Sequence, residues 1–250
     1  IQRKIAWIID KTLEATQFGF RAGKSTVDAI LIVRQILTYS ERCGVQGYIL
    51  LLDWEKAFDR VDQELFFTAL HFHGIPEKLI NLVKALYRSP LFKVVIENVD
   101  SAWKRQCTGI RQGCPLSPYL FILCMSAIFT IIRHILTEAG DTINQIHGLI
   151  LDFESILYAD DTLLIAGDKE SMEKLLHLVE DISGCFGLKL NKDKCVVLII
   201  QGGDPPKFTD GTTVKQESGT EYLGSNINTK GDTDEEAIKR IRVARYIWNK

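Results

Sequence analysis

The feature that most constrains this chain is a pair of adjacent aspartates, Asp160 and Asp161, between two apolar runs in SILYADDTLLIAG, residues 155–167. Ionised carboxylates are costly to bury, and two neighbouring ones repel each other. A hairpin would place both at a tip in water, where aspartate is a common turn residue. A divalent cation is the alternative explanation, because Mg²⁺ prefers oxygen ligands and a tip can present two carboxylates to it.

Asp53 is the candidate for a third carboxylate ligand. It follows the apolar run GYILLL, residues 47–52, which has the length of a buried strand. Asp53 could instead cap a helix, and the charged segment EKAFDRVD after it could be a solvated face. Taken together, one carboxylate at a strand end and two at a hairpin tip predict a site for two Mg²⁺ ions about 3.5–4 Å apart, with Mn²⁺ as a substitute. Such a pair can activate a 3′-hydroxyl and hold a triphosphate for in-line displacement.

Composition describes an ordinary globular protein with a sizeable core. The chain has 250 residues, of which 46% are hydrophobic and 25% charged, and its formal net charge is −2. This charge counts against a stand-alone nucleic-acid binder but is compatible with a polymerase, whose acidic metal site offsets a basic groove. The six cysteines show no CxxC pair or cluster with histidine. We therefore expect reduced thiols in an intracellular protein of the nucleus or cytoplasm.

Apolar spacing and capping residues predict the remaining elements. Helices are predicted over 26–42, after a cap at Asp62, and over 77–88, 119–132 and 169–186. A hairpin is predicted over 92–107 with its turn at 98–101, and short strands at 194–200 and 221–227. The order favours an α+β fold with helices on one face of the sheet. The apolar run 119–132 is shorter than the roughly 18–20 residues of a membrane span, so no membrane contact is expected.

The segment GFRAGKST, residues 19–26, partly matches a phosphate-binding loop. The Walker pattern has four residues between the first glycine and Gly-Lys-Ser, whereas three stand here, and no clear strand precedes them. An ATPase is therefore not expected. Arg21 and Lys24 could still contact nucleic-acid phosphates, although solvated loop charges are an equally good explanation for both.

Five blocks occur in the order and at the spacing seen in one polymerase family. They are LLDWEKAFDRVD (51–62), GIRQGCPLSPYLF (109–121), YADD (158–161), GLKLNKDKC (187–195) and EYLG (221–224), and QFGFRAGKSTVDAI (17–30) also fits. With these blocks the chain resembles reverse transcriptases, which are RNA-directed DNA polymerases, and in particular those of non-LTR (LINE-type) retrotransposons. The resemblance extends from Gln17 to about Ile227.

The resemblance implies a right-hand polymerase palm with an antiparallel sheet and packed helices. It divides the chain into partial fingers (1–46), palm (47–230) and the start of a thumb (231–250). Both ends fall within helical patterns, so we expect a piece of a longer protein. The implied reaction is RNA-templated addition of deoxynucleotides to a primer 3′-end with Mg²⁺. RNA template, DNA primer and dNTPs are then the expected partners, and the sequence does not indicate an oligomeric state.

The resemblance also implies roles for individual residues. Asp53, Asp160 and Asp161 match the metal-binding catalytic acids, and Lys194 matches a lysine proposed to protonate the leaving pyrophosphate. The expected nucleotide-binding residues are Trp54, Phe58, Gln112 and Gly113. Among them, Phe58 matches the aromatic that crowds the sugar 2′ position. The expected nucleic-acid-binding residues within these blocks are Arg111, Tyr222, Leu223 and Gly224. Tyr222, Leu223 and Gly224 match the primer-grip region. Phe58 could instead be a core residue, and Lys194 a solvated lysine.

Other functions remain open at this point. A catalytically silent or decayed palm-like module that only binds nucleic acid is one, although such a module has no need of three costly carboxylates. A group II intron-type reverse transcriptase is another, because the sequence does not separate it from a LINE-type element. A polymerase that copies RNA into RNA is the third, and Phe58 argues against it because ribonucleotides need room at the 2′ position.

Overall fold

The computed structural model describes residues 1–97, 99–149, 151 and 153–248. The helices are α1 (Gln2–Thr12), α2 (Thr26–Cys43), α3 (Ala57–Arg60), α4 (Gln63–Phe72), α5 (Glu77–Tyr87), α6 (Ser117–Glu138), α7 (Lys169–Cys185) and α8 (Asp234–Trp248). The strands are β1 (Gly47–Leu52), β2 (Leu91–Phe92), β3 (Val95–Ile96), β4 (Val99–Asp100), β5 (Lys104–Arg105), β6 (Ser155–Tyr158), β7 (Asp161–Ala166), β8 (Val196–Ile200), β9 (Lys215–Gln216), β10 (Gly219–Tyr222) and β11 (Ser225–Asn228). Residues 249 and 250 of the predicted thumb segment lie outside the described residues.

A five-stranded sheet in the order β6-β7-β1-β8-β9 forms the centre of the fold. Its first four strands are antiparallel, and the short β9 runs parallel to β8. β1 lies in the middle, where Leu50 pairs with Leu164 on one side and Val197 on the other. A strand with neighbours at both edges and on both faces needs a continuous apolar sequence, which explains GYILLL. The predicted α+β fold with an antiparallel sheet and packed helices is confirmed.

The two faces of the sheet are covered by different elements. Tyr48, Leu50 and Leu52 point into the larger apolar cluster, which includes α1, α4, α5, α6 and α7. Ile49 points to the opposite face, where α2 and the β10–β11 hairpin form a second cluster. The expectation of helices on one face only is therefore wrong. Period-two alternation cannot reveal it, because β1 is apolar at every position and both of its faces need a cover.

α6 is the central helix of the larger cluster. It runs for 22 residues, well beyond the apolar run 119–132 that predicted it, and contacts α1, α4 and α7. By length and composition it could cross a membrane, but 67% of its most apolar 18-residue stretch is buried inside the fold. A core helix of a globular protein has this burial, and the predicted buried helix is confirmed.

The segment between α5 and α6 forms two short ladders that are separate from the central sheet. β2 pairs with β5, and β3 pairs with β4 through Ile96 and Val99. The turn predicted at 98–101 is therefore misplaced, since Val99 and Asp100 are strand residues, while Asn98 lies outside the described residues. β-branched valine favours the extended conformation over the turn.

Candidate active site

Asp53 follows directly on the last residue of β1. Leu52 still pairs with Thr162 of β7, and on the opposite side the backbone N–H of Asn191 donates to the Asp53 carbonyl oxygen at 2.8 Å. The backbone at Asp53 is thus held between β7 and the loop before β8. Its side chain is 40% exposed, so the carboxylate reaches solvent at the edge where β1 ends.

The side chain of Trp54 stabilises the same edge of the sheet from within the core. Its indole N–H donates to the Thr162 hydroxyl at 3.2 Å, and the residue is 7% exposed. A buried indole nearly always needs such a partner. This corrects the expectation that Trp54 contacts the nucleotide, because its ring lies in the core and its one donor is used to tie β1 to β7.

The second part of the site is the tight turn between β6 and β7. Tyr158 pairs with Asp161, so Ala159 and Asp160 form the tip. Ala159 is buried and has a φ of 58°, in the left-handed region that non-glycine residues seldom adopt. The turn is strained at the residue before the first aspartate, and both aspartates are exposed beyond it. The predicted hairpin is confirmed.

The segment before α2 supports this turn. Leu157 donates its N–H to Thr16 at 3.0 Å and accepts from the N–H of Phe18 at 2.7 Å. Gly19 then lies against the turn so closely that a Cβ there would overlap the backbone nitrogen of Ala159. Sequence reasoning missed this contact, although the glycine of QFGF was a visible signal of close backbone approach.

The three carboxylates interact electrostatically. Asp161 reaches solvent, yet partial burial of its carboxyl group, followed by the negative charges of Asp160 and Asp53, raises its pKa from 3.8 to about 6. Within the described residues no three His, Cys, Asp or Glu side chains are already arranged to hold a metal ion. The donor set nevertheless fits a hard cation, because carboxylate oxygens are its preferred ligands and its charge would relieve this repulsion.

Lys194 also lies at this edge. Its Nζ is 3.9 Å from Asp53 Oδ2, and its side chain is 67% exposed. The backbone N–H of Lys194 donates to the Asn191 carbonyl at 3.0 Å, in the same loop that holds the Asp53 backbone. The structure therefore places Lys194 beside Asp53 and leaves its ammonium group largely in solvent.

Phe58 lies in α3, at the rim of the core. Its ring stacks on Phe121 of α6 with centroids 4.4 Å apart and an interplanar angle of 22°. The residue is half-buried and packs against the larger apolar cluster. One face of the ring is therefore in the core, and the rest of the side chain is partly exposed.

Gln112 is oriented by α3. Its side-chain Nε2 donates to Asp59 Oδ1 at 3.0 Å. Gly109 packs so closely on α3 that a Cβ would lie 2.5 Å from the Asp59 carbonyl oxygen, and its φ is 78°. Gly113 has a φ of 81°, so the residue after Gln112 also needs the left-handed region. Sequence reasoning missed Asp59, because its partner is far along the chain.

Arg111 lies beside α5. Its guanidinium is 5.8 Å from the centre of the Tyr87 ring, and its backbone N–H donates to the Tyr87 hydroxyl at 3.3 Å. The residue is half-buried. A guanidinium held over an aromatic ring keeps its planar donors available at the edge, so the geometry allows the expected nucleic-acid contact.

The β10–β11 hairpin reaches the carboxylates from the other face of the sheet. Its two-residue turn is Leu223–Gly224, with φ values of 49° and 75°. Tyr222 is 3% exposed, and its hydroxyl has no hydrogen-bond partner among the described residues. Burial, and then the charge of Asp161, raises the pKa of Tyr222. The Tyr222 side chain is therefore a core group, whereas Gly224 in the turn is exposed.

The side chain of Arg21 stabilises the loop before α2 through hydrogen bonds. Its guanidinium donates to the Asp10 carboxylate at 3.1 Å and to the carbonyl oxygens of Asp10, Glu14 and Gln17 at 3.1, 2.6 and 3.2 Å. Its side chain is 9% exposed. This corrects the expectation that Arg21 contacts phosphate, because the protein itself uses the donors of its guanidinium.

Lys24 is partly used by the same loop. Its Nζ donates to the Ala15 carbonyl at 3.1 Å and lies 4.8 Å from the centre of the Phe18 ring. Ser25 and Asp28 form a capping box at the start of α2. The loop is thus a helix cap supported by internal hydrogen bonds, which agrees with the rejection of a phosphate-binding loop.

Comparison with known proteins supports the resemblance. The family model for "Reverse transcriptase (RNA-dependent DNA polymerase)" matches residues 1–227. The chain is 30% identical over 220 residues to the "Transposon TX1 uncharacterized 149 kDa protein" of Xenopus laevis, covering 84% of this chain and 16% of that protein. It is 28% identical over 228 residues to the "Retrovirus-related Pol polyprotein from type-2 retrotransposable element R2DM" of Drosophila melanogaster, covering 86% of this chain and 21% of that protein. The chain thus spans less than a quarter of these relatives.

Solved structures agree on the fold. An apo telomerase of Candida tropicalis, truncated from its C-terminal domain, superposes with a TM-score of 0.63 at 18% identity, covering 92% of this chain and 44% of that one. The telomerase of Candida albicans in complex with a fragment of telomeric RNA gives 0.60 at 16% identity, covering 92% and 36%. At such identities the likeness concerns the fold alone. Since the family model matches most of the sequence, the chain belongs to the reverse transcriptase (RNA-dependent DNA polymerase) family.

Proposed function

We propose that this chain is the polymerase core of an RNA-directed DNA polymerase from a non-LTR retrotransposon. It adds deoxynucleotides to a DNA primer on an RNA template. The observation that carries the proposal is that three carboxylates meet at one edge of the sheet, where β1 ends beside the β6–β7 turn. Burial there, and then the charges of Asp160 and Asp53, raise the pKa of Asp161. Such an arrangement of carboxylates is costly by itself and becomes favourable when a divalent cation binds between them.

Asp53, Asp160 and Asp161 are the residues that would hold two Mg²⁺ or Mn²⁺ ions. When bound, the ions supply Lewis-acid stabilisation of the attacking and leaving oxygens. The protein's own contribution is positioning. The Trp54–Thr162 hydrogen bond holds Asp53 beside β7, and the ammonium of Lys194, 3.9 Å from Asp53, adds a positive charge and a proton donor where pyrophosphate leaves.

The nucleotide is selected by groups on α3 and on the segment before α6. Phe58 presents the exposed part of its ring close after Asp53, and a ring there leaves no room for a ribose 2′-hydroxyl. We assign Gln112 and Gly113 to contact with the base, and Arg111, Lys24 and the Leu223–Gly224 turn to contact with the nucleic acid. In this proposal residues 1–46 act as partial fingers, 47–230 as palm and 231–250 as the start of a thumb. The enzyme works inside the cell, in the nucleus or cytoplasm.

The test is single-nucleotide addition to a DNA primer on an RNA template in the presence of Mg²⁺. Asp160→Asn and Asp53→Asn should reduce the rate by orders of magnitude, because losing a metal ligand removes several kcal/mol of transition-state stabilisation. Asp181→Asn, at an exposed aspartate of α7, is the matched control and should leave the rate unchanged.

Binding of Mn²⁺, followed by electron paramagnetic resonance, gives a second readout that does not depend on turnover. The parent chain should bind Mn²⁺ and Asp160→Asn should bind it more weakly. A chain that binds RNA but neither binds Mn²⁺ nor adds nucleotides would instead be a catalytically silent module. Near-normal addition by Asp160→Asn would reject the assignment of the three carboxylates.

A further inference from the structure

Two hollows on the outer surface of the protein share one side chain, Trp7 of α1. The smaller hollow, about 310 Å³, lies between α1, the loop at Phe20 and Tyr119 at the start of α6. The larger, about 670 Å³, lies between α1 and α5. We call the surface formed by Trp7, Phe20 and Tyr119, with the cations around them, the α1 aromatic surface.

Trp7 is presented to solvent in a fixed way. It is 65% exposed. The ammonium of Lys11, one turn later on α1, lies 3.7 Å from the centre of its ring. This cation–π contact holds the ring on the helix surface, and the remaining exposed area is available to a planar ligand.

Phe20 is also held outward at a cost. Its φ is 57°, and its side chain is 45% exposed. The four hydrogen bonds of Arg21 fix the adjoining backbone to α1 and to the loop after it. A bulky residue in a strained conformation that keeps an apolar ring in water needs a reason, and ligand contact is the usual one.

Most of the charged residues around these rings are basic. The charged residues that line the larger hollow are Arg3, Lys4 and Lys78, and all three are basic. In the smaller hollow Asp10 is paired with Arg21, which leaves the charge of Lys11. Exposed aromatic rings among cations are suited to single-stranded nucleic acid, whose bases stack on the rings while its phosphates face the cations.

The surface is connected along the chain to both halves of the candidate active site. Tyr119 follows the Gln112–Gly113 block within the first turn of α6. Phe20 follows Gly19, which packs on the turn that carries Asp160. We propose, resting on the polymerase function above, that the single-stranded RNA template passes over the α1 aromatic surface before it reaches the active site, with bases stacked on Trp7 and Phe20.

The experiment compares two primer–templates that differ only in the length of the single-stranded RNA overhang, one nucleotide or about a dozen. Trp7→Ala should weaken binding of the long-overhang substrate about 10-fold, a loss typical of base–aromatic stacking, and should leave the short-overhang substrate unaffected. Trp103→Ala is the matched control, because Trp103 is 64% exposed and has Lys93 5.6 Å from its ring, but lies between β4 and β5. Trp7→Tyr should restore most of the binding.

The charges are tested by salt dependence. Lys4→Gln with Lys78→Gln should reduce the slope of log affinity against log salt for the long overhang by about 1.4, the value for two contacts to a single strand. Unchanged binding of the long overhang by Trp7→Ala, or an equal loss in Trp103→Ala, would overturn the proposal and leave the surface to a protein partner. If the parent protein adds no nucleotide to the short-overhang substrate, the polymerase function is rejected instead. Binding of the long-overhang RNA would still decide the role of Trp7 in that case.

Discussion

The side chain of Gln112 donates a hydrogen bond of 3.0 Å to the carboxylate of Asp59. A carboxylate only accepts hydrogen bonds, so the nitrogen of the Gln112 amide must face Asp59 and the amide oxygen must face away from it. Asp59 is therefore a positioning residue for a side chain on a separate segment. The proposed nucleotide contact depends on this orientation.

Asp59→Ala should raise KM for the incoming dNTP several-fold more than it lowers kcat. Without the charge-assisted hydrogen bond to Asp59, the Gln112 amide rotates freely and must be ordered again when the nucleotide binds. Asp59→Asn keeps an acceptor oxygen and should recover most of the loss. Asp62→Ala is the control, since Asp62 caps α4 and its loss should lower stability by about 1 kcal/mol without changing KM. Equal effects of both alanines on KM would contradict the positioning role.

Gly19 should not tolerate a side chain. Gly19→Ala would push on the Ala159 backbone and displace the turn that carries Asp160. We expect kcat to fall at least 10-fold, because small displacements of catalytic groups have large kinetic effects. Gly184→Ala provides the comparison, since a Cβ at Gly184 meets nothing within 4 Å and alanine favours the helix. Full activity of Gly19→Ala, measured with its melting temperature, would show that the turn does not depend on this contact.

Phe58 should have two separable roles. Phe58→Val in the active enzyme should increase ribonucleotide incorporation relative to deoxynucleotide incorporation, because it removes the bulk that excludes a 2′-hydroxyl. It should also lower stability by less than the ~3–5 kcal/mol of a fully buried phenylalanine truncation, since the ring is only half-buried against Phe121. A lower melting temperature with an unchanged sugar ratio would leave Phe58 as a core residue alone.

Asp161 should make the metal-free protein less stable as the pH rises. Its pKa is raised in the folded state, from 3.8 to about 6, so the folded protein binds the proton more tightly than the unfolded chain does. The resulting stability is fully present below about pH 4 and is lost as the pH rises through 6. The difference in melting temperature between the parent and Asp161→Asn should therefore change between pH 5 and pH 7.

Mg²⁺ competes with this proton for the same carboxylates. The increase in melting temperature that Mg²⁺ produces should be larger at pH 7.5 than at pH 5.5 in the parent, because the ligands must be ionised to bind. Asp161→Asn should lose most of this dependence. A Mg²⁺ effect of equal size at both pH values would place the cation elsewhere.

Tyr222→Phe should be tolerated. The Tyr222 hydroxyl is buried and has no hydrogen-bond partner among the described residues, so it costs desolvation energy without a return. We expect the free energy of unfolding to stay the same or rise by about 1 kcal/mol, with unchanged primer extension. A large loss of extension at unchanged stability would show that this hydroxyl contacts the primer or Asp161 during the reaction.

Features that depend on near neighbours could be predicted from the sequence. The apolar run before Asp53 predicted β1, the spacing from Thr26 predicted α2, and the aspartate pair predicted the hairpin tip. Each is set by local periodicity or turn preference, which a short window contains. The ordered blocks added the family, since several motifs at fixed spacing are specific where one is not.

The tertiary structure alone decided how distant segments use their polar groups. The indole N–H of Trp54 donates to the Thr162 hydroxyl, which directs the ring inward. The guanidinium of Arg21 donates to carbonyl oxygens of the adjoining loop. Asp59 and Gln112 are separated by 53 residues, so no local pattern links them. The sequence by itself determined which carboxylates could form a site. Only the fold decided which side chains support them and which face the substrate, because each buried donor takes the acceptor that packing brings to it.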